Sequence, residues 1–264
     1  MQSHKSIKSE ISKMKDDKEI NVMHLAEHAE RFQDMVNALR NIIKDRKVLN
    51  SDERNYLTIA YKSYVASGRN AWRVMSALEF KEQDNPDKVY IGTLKKYKLK
   101  IQTEVQSICT EVIAMLENDL IHNADENDAK VFYIKMKGDY YRYKCECSPK
   151  EKRKMYTESA LQHYVEASEI AEKHLSKTSS LRLSLILNFS VFYYEVMNLP
   201  RKAYEIAKKG FDEAICDMTG IETEFEHNDK ANKGSDTLSL LAIIKENLTI
   251  WNADLEEGVE KADY

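Results

Sequence analysis

The sequence predicts an all-α protein, and three observations carry that prediction. The 264 residues include only seven glycines and three prolines, too few for the turns that many short strands require. Apolar residues recur at helical spacing along most of the chain, and the pattern breaks at Pro, Gly or polar clusters. An apolar fraction of 42% is sufficient for a substantial core and argues against a disordered chain.

Nine helices follow from this pattern. An N-cap signal at Asn50 to Glu53 opens the third, a polar cluster at Asp84 to Asp87 ends it, and Pro149 suits the first turn of the sixth. The expected helices lie at 16–29, 31–46, 51–82, 87–120, 131–146, 149–175, from 179, from 200, and at 236–254, with a loop at 219–235.

Short turns between these helices predict antiparallel pairs stacked as a right-handed α-solenoid, resembling a tetratricopeptide array, with a concave face. No strict repeat of fixed period supports a true array. We expect a flexible extension at 1–15, one helical domain at 16–254 with halves at 16–120 and 121–254, and a flexible tail at 255–264.

Composition excludes several classes of protein. A net charge of -4 with both signs interspersed does not indicate a nucleic-acid binder, so any basic site must be local. The N-terminus lacks the apolar region of a secretory signal, and no run approaches the roughly 20 apolar residues of a membrane span. Four cysteines in so long a chain indicate a reducing compartment, the cytoplasm or also the nucleus. Cys145 and Cys147 have no second pair to complete a metal site, so neither metal nor cofactor is predicted.

Two helices carry basic residues at seven-residue spacing. Lys62, Arg69 and Arg73 project from one side of the third helix, and Lys135 and Arg142, with Tyr143 beside the arginine, from the fifth. If these faces converge, they surround a volume suited to a phosphate dianion, because guanidinium forks match its oxygens. The alternative is a solvated charged face with surface ion pairs such as Asp139 to Arg142.

Two later helices present an amide beside an apolar ridge. Such a surface could hold the main chain of a peptide, although an apolar stripe is more often core. The residues are Leu187, Asn188, Val191 and Glu195 on the seventh helix, and Ile243, Asn247 and Trp251 on the last.

The sequence contains no complete enzyme motif of the kinds considered below. His24 and His28 share a helical face, but the intervening glutamate is misplaced for a zinc peptidase, which favours a surface or interface role. No glycine-rich phosphate loop or nucleophile elbow occurs. Catalysis is therefore not predicted.

Several blocks of the sequence closely resemble the 14-3-3 family. They include LAEHAERFQDM (25–35), ERNYLTIAYKSYV (53–65), AWRVMSALE (71–79), VFYIKMKGDYYRY (131–143), LNFSVFYYEVMN (187–198), AKKGFDEAICD (207–217) and ENLTIWNAD (246–254). The blocks keep the family's order over nearly the whole chain. The resemblance implies an adaptor, not an enzyme, that binds phosphoserine or phosphothreonine segments of client proteins in a groove.

The same resemblance assigns roles to residues. The phosphate-binding cluster of the family is matched by Lys62, Arg69, Arg142 and Tyr143, with Arg73 and Lys135 as supporting cations. The residues that hold the ligand's main chain are matched by Asn188 and Asn247, with Glu195 nearby. The apolar wall of the groove is matched by Leu187, Val191, Ile243 and Trp251. The resemblance also implies dimerisation through the N-terminal half, as a homodimer or with other 14-3-3 chains. The residues expected at this interface are Leu25, Ala29, Arg31, Asp34, Tyr97, Lys100 and Glu104. Arg31 would pair with Glu104, and Asp34 with Lys100, across the interface.

The sequence departs from the family's pattern at three positions. Gly68 replaces the first of two adjacent arginines, Ala71 removes a phosphorylatable serine at the dimer interface, and Ser239 replaces a leucine near the apolar wall. We expect a weaker cationic rim and an altered peptide preference. A helical scaffold whose binding is independent of phosphorylation is the alternative function, and comparing one peptide with and without its phosphate distinguishes the two.

Overall fold

A computed structural model describes residues 18–221 and 231–262 of the chain, with side chains over 18–218 and 236–256. Across these residues the backbone forms nine helices and no strand, so the all-α prediction is confirmed. The helices, α1 to α9, span 18–28, Phe32–Arg46, Ser51–Lys81, Lys88–Met115, Asn127–Glu146, Lys150–His174, Ser180–Glu195, Pro200–Ile221 and Ala231–Ala262. The predicted extension at 1–15 and residues 222–230 of the predicted loop lie outside the described residues.

Side-chain caps begin the two long helices where the sequence places them. Asn50 and Glu53 form a reciprocal capping box, in which each side chain accepts the other's backbone N–H at 2.9 Å. Asp87 accepts from the N–H groups of Val89 and Tyr90 at 2.9 and 3.0 Å. These bonds satisfy donors that the first turn of a helix leaves without an intrahelical acceptor.

Two helices end differently from the prediction. The last turn of the long helix after 87 is a π turn, Leu116–Leu120, which buries both leucines while Asp119 reaches the Lys47 ammonium at 2.8 Å. Helix α9 runs past the expected end at 254 to Ala262. Residues 255–262 are mostly strong helix formers, so nothing local stops the helix at 254.

The described chain divides into two compact units, one ending at Ala124 and the other beginning at Asp125. Helices α1 to α4 form the first unit. Helices α3 and α4 run antiparallel there, because Glu79 pairs with Lys98 at 2.7 Å while Gly68, further back on α3, contacts Val105, further along α4. The predicted solenoid, its concave groove and the division into halves at 120 stay predictions.

One polar network ties three helices of the first unit together. The Arg40 guanidinium of α2 donates to both oxygens of Glu111 on α4, at 2.7 and 2.6 Å. The Tyr61 hydroxyl of α3 donates to the same carboxylate at 2.7 Å. A forked arginine–carboxylate pair is among the strongest hydrogen-bonded arrangements, so this network fixes the register of α2, α3 and α4.

Helices α5 to α9 form the second unit, whose centre is aromatic. Tyr164 of α6 stacks on Phe189 of α7, with ring centroids 5.3 Å apart, and also contacts Phe192. Gly138 of α5 lies against the Tyr164 ring, where an added Cβ would come within 3.2 Å. The small residue therefore brings α5 close to α6, which places the polar end of Tyr164 beside the next residue of α5.

Candidate functional site

Asp139 of α5 is the acceptor around which the candidate site is built. The residue is 7% exposed, and its carboxylate pairs with the Lys135 ammonium, one helical turn earlier, at 3.0 Å. The Tyr164 hydroxyl of α6 donates to it at 2.5 Å, and the Asn188 amide of α7 donates to its two oxygens at 2.9 and 3.0 Å. Three helices thus meet at one buried carboxylate, which orients the side chains that surround it.

The Arg142 guanidinium lies against this carboxylate and is held from several sides. Its Nε–H donates to the Tyr164 hydroxyl oxygen at 3.3 Å, and its terminal nitrogens lie 3.9 Å from Asp139 and from Glu195 of α7. The group also covers the Tyr143 ring, with the guanidinium carbon 4.9 Å from the ring centroid. Each terminal nitrogen carries N–H donors, and the distances of 3.9 Å to the two carboxylates are longer than a hydrogen bond.

Burial and neighbouring charges set the protonation of this cluster. Burial opposes ionisation of Asp139, but Lys135, Arg142 and the Tyr164 hydroxyl outweigh it and lower the pKa of the carboxyl below its ordinary value. Burial and the Asp139 charge raise the pKa of Tyr164 well above its ordinary value. Arg142 has a raised pKa despite its burial, because Tyr164, Tyr143 and Asp139 favour the cation. At neutral pH the site therefore holds a carboxylate, a neutral phenol that donates, and a charged guanidinium.

The remaining predicted residues of α7 line up beside the cluster. Leu187 and Val191 are half-buried, one residue before and three after Asn188, and Glu195 is exposed at the end of the helix. The Asn188 amide nitrogen donates to Asp139, and a role for its carbonyl oxygen in binding a peptide stays a prediction.

On α9 the three predicted residues differ in exposure. Ile243 is 45% exposed and Asn247 is half-buried, whereas Trp251 is only 3% exposed and stacks on Tyr194 with centroids 5.2 Å apart. Their four-residue spacing on a continuous helix puts them along one side of α9, which packs on α7. Trp251 anchors this side of the unit, and Ile243 offers the more accessible apolar surface. Ser239, one turn before Ile243, is exposed.

The other predicted cations belong to the first unit. Helix α3 continues without a break through Gly68, so Lys62, Arg69 and Arg73 share one side of it. Lys62 and Arg73 are exposed, and Arg69 is half-buried. That these three residues and Arg142 surround one phosphate stays a prediction.

The predicted dimer residues are accessible in the single chain. Leu25 is 70% and Tyr97 54% exposed, and Ala29 is also exposed. The charged residues pair locally, Arg31 with Asp34 and Lys100 with Glu104 at 4.0 Å. The pairing of Arg31 with Glu104 and of Asp34 with Lys100 across a dimer interface stays a prediction.

Sequence reasoning missed the importance of two residues. From the sequence, Asp139 was expected only as a possible surface ion-pair partner of Arg142. In the structure it is buried and accepts hydrogen bonds from side chains of three helices. Its position between two cations, four residues after Lys135 and three before Arg142, was a local signal that could have indicated this role. Tyr164 carried no such signal, because only the packing of α6 on α5 brings its hydroxyl to the site.

The described part of the chain shows neither a group of metal ligands nor a helix suited to a membrane. There, no three His, Cys, Asp or Glu side chains gather in a way that could hold a metal ion. None of the described helices combines the length and the hydropathy that crossing a membrane requires.

The fold and the Arg142 cluster define an all-helical protein with a candidate anion-binding site. The family described as "14-3-3 protein" matches residues 22–252. The "Checkpoint signal transducer rad24" of Schizosaccharomyces pombe is 39% identical over 238 residues, which are 90% of this chain and 85% of the relative. The "14-3-3 protein beta/alpha-1" of Oncorhynchus mykiss is 41% identical over 230 residues, 87% of this chain and 90% of the relative. The chain belongs to the 14-3-3 family.

Members of this family are non-enzymatic adaptors that bind client proteins and dimerise. Family membership confirms the prediction that the chain is not an enzyme. It also confirms that the sequence blocks identified the correct family.

Proposed function

We propose that this chain is a signalling adaptor that captures phosphoserine- or phosphothreonine-containing segments of client proteins at the Arg142 cluster, in the cytoplasm and also in the nucleus. The observation that carries the proposal is the Arg142 guanidinium, held against the buried Asp139 carboxylate by groups from α5, α6 and α7. The name of the fission-yeast relative, a checkpoint signal transducer, supports a role in signalling.

The first step is neutralisation of the phosphate. Arg142 is already oriented by Tyr164 and Tyr143, so it loses little side-chain freedom when it binds. Each charge-assisted hydrogen bond to a phosphate oxygen contributes about 1.5 to 3 kcal/mol. Lys135 adds positive charge from one side, and Glu195, which is 55% exposed, can swing away as the phosphate arrives. On this proposal Lys62, Arg69 and Arg73 supply the remaining cations.

The second step is recognition of the peptide main chain. The Asn188 carbonyl accepts a main-chain N–H, and Asn247 provides an amide of both donor and acceptor character from α9. The apolar side chains beside these amides hold the residues that flank the phosphorylated one; they are Leu187, Val191, Ile243 and Trp251. An extended segment bound in this way is masked from other proteins.

The third step depends on dimerisation. A dimer, with a second copy or with another 14-3-3 chain, presents two such sites, so a client with two phosphorylated segments binds the second one at a high effective concentration. The predicted interface residues lie in the first unit and the Arg142 cluster in the second. Occupation of the site and formation of the dimer therefore use different residues.

The decisive measurement is the affinity for one serine peptide with and without its phosphate, at two salt concentrations. We expect the phosphate to strengthen binding by more than about a hundredfold, because two or more charge-assisted bonds are gained. Arg142→Lys should weaken binding of the phosphopeptide by about tenfold or more, since a point charge loses the fork geometry. Arg69→Lys should act in the same direction.

Arg182→Lys is the matched control. Arg182 is another arginine of low exposure in the same unit, and its fork bonds Glu213 of α8 and the Leu175 carbonyl, away from Asp139. The control should lower stability but leave the phosphopeptide affinity unchanged. Equal affinities for the two forms of the peptide would refute the proposal and favour a scaffold that is indifferent to phosphorylation.

A further inference from the structure

A cavity of about 140 Å³ lies in the second unit between α6, α7 and α8. Its walls include Ala171, Leu185, Ile186, Phe189, Ile206 and Gly210. These residues differ from those of the Arg142 cluster, so the cavity is a separate feature of the unit.

The floor of the cavity is apolar and preformed. Ala171 and Leu185 are each 1% exposed, and Phe189 is 7% exposed. Phe189 is also held by its stacking on Tyr164, with an interplanar angle of 22°. A wall that is held in this way does not need to reorganise when a ligand enters, which lowers the cost of binding.

Gly210 of α8 determines the shape of one wall. A Cβ built on Gly210 would lie 2.5 Å from Cδ1 and 2.9 Å from Cγ2 of Ile186, both too close for the present packing. Glycine within a helix is unfavourable relative to alanine, so the position is explained by the Ile186 side chain that it accommodates. Gly210 therefore allows the branched side chain of Ile186 to lie along the wall without closing the cavity.

The rim of the cavity is charged but internally paired. Arg182 pairs with Glu213 at 2.9 Å, and Lys209 pairs with Glu172 at 3.0 Å. A charged ligand would have to break one of these pairs, so the rim favours a neutral one. Lys209 and Glu172 are 62% and 57% exposed, so the rim of the cavity borders solvent on this side.

We propose that this cavity is a binding site for a small neutral apolar molecule or group about the size of one aromatic ring. An apolar cavity of roughly 150 Å³ in another protein stays dry and takes up benzene or xenon, so a volume of this order is sufficient. Buried apolar walls with a polar rim are also the usual composition of small-molecule sites. The site does not depend on the proposed binding of phosphopeptides.

The direct test is titration of the full chain with fluorobenzene, followed by NMR. Methyl signals of Leu185, Ile186 and Ile206 should shift in a saturable way, while methyl signals of α2 in the first unit, such as that of Ile42, should not. A ¹⁹F signal of the probe should broaden or shift with the same dissociation constant. The absence of a saturable change in the methyl signals of these three residues would overturn the proposal.

Two variants narrow the cavity, one control leaves it unchanged, and a further variant enlarges it. Gly210→Ala forces Ile186 to move, and Ala171→Val adds two methyl groups to the floor, so each should weaken binding by more than about tenfold. Gly92→Ala is a helical glycine substitution with nothing within 4 Å of the added Cβ, and it should leave binding unchanged. Ile186→Ala enlarges the cavity and should admit a two-ring probe, fluoronaphthalene.

If Gly210→Ala fails to fold, Ala171→Val supplies the same comparison at a position on a different helix. Unchanged fluorobenzene affinity in a folded Gly210→Ala or Ala171→Val protein would contradict the assignment. So would weakening in Gly92→Ala, because that residue lies in the other unit.

Discussion

Asp139 and Glu111 are carboxylates that play the same part in different units of the chain. Asp139 receives donors from α5, α6 and α7, and Glu111 receives donors from α2 and α3 while belonging to α4. In both cases a tyrosine hydroxyl and a basic side chain share one acceptor. Each carboxylate therefore fixes how three helices meet, and Asp139 in addition orients Arg142.

The lowered pKa of Glu111 makes a contribution to stability that depends on pH. Burial opposes ionisation, but the Arg40 and Tyr61 hydrogen bonds outweigh it and lower the pKa below the ordinary value. The carboxylate therefore stabilises the folded state above the ordinary glutamate pKa of about 4.3, and this contribution is lost as the pH falls through the lowered pKa.

We expect Glu111→Gln to flatten part of this pH dependence. Between neutral pH and about pH 3, the free energy of unfolding should fall less steeply in the variant than in the natural chain, because one carboxylate with a lowered pKa is gone. Urea titrations at a series of pH values measure the two slopes. Glu166→Gln, at an exposed position on α6, is the control and should retain the natural slope. Equal slopes for the natural chain and Glu111→Gln would contradict the assignment.

At the scale of elements, two helical glycines have opposite surroundings. Gly68 of α3 faces α4, where an added Cβ would lie 2.7 Å from the Val105 side chain. Gly92 of α4 has nothing within 4 Å of such an atom. Gly68 therefore serves the close packing of two long helices, whereas Gly92 has no packing reason to be glycine.

This difference predicts opposite effects of the same substitution. Gly92→Ala should raise the free energy of unfolding by about 1 kcal/mol, the difference in helix propensity. At Gly68 the same gain is opposed by overpacking against Val105, which typically costs about 1–3 kcal/mol, so Gly68→Ala should be neutral or destabilising. Chemical denaturation of both variants measures the contrast. A Gly68→Ala protein with a raised free energy of unfolding would show that α4 accommodates the added methyl group without a loss of stability.

The packing of Gly68 bears on one departure from the family pattern, the glycine in place of the first of two adjacent arginines. The missing arginine removes a cation from the rim of the predicted phosphate site. In the structure α3 nevertheless continues unbroken from Ser51 to Lys81, and the glycine is used for contact with α4. The residue is thus explained by packing within the first unit.

At the scale of the whole molecule, the four charged residues of the predicted interface allow a test of dimerisation. In an isologous dimer each cross-interface pair occurs twice, so one substitution changes two contacts. Within the single chain Arg31 pairs with Asp34, and Lys100 with Glu104. The predicted dimer interface pairs Arg31 with Glu104 of the other subunit instead.

We expect a charge swap to convert a homodimer into an obligate heterodimer. Arg31→Glu places like charges opposite Glu104 in its own homodimer, and Glu104→Arg does so with Arg31, so each alone should dimerise at least about fivefold more weakly. A mixture of the two variants restores both opposite-charge pairs and should recover the natural affinity. Sedimentation equilibrium measures this, and weak association in the mixture would exclude this pairing.

The two parts of the candidate site differ in how far the sequence alone could predict them. Lys135, Arg142 and Tyr143 lie on one helix, and helical spacing is sufficient to place them together. The sequence predicts that Asn188 contacts a peptide, but it does not predict the bond to Asp139, which joins residues 49 positions apart. Such a contact depends on how α7 packs on α5, which no local pattern specifies.

By itself the sequence determined the all-α class, the starts of the long helices and the 14-3-3 family. The spacing of apolar residues, the N-cap residues and the blocks that resemble the family are all local properties of the chain. Only the tertiary structure decided that Asp139 is buried, that Tyr164 completes the Arg142 cluster, and that Gly210 and Ile186 border a cavity. These features arise where distant segments pack, and packing depends on the shapes of all the neighbouring side chains at once.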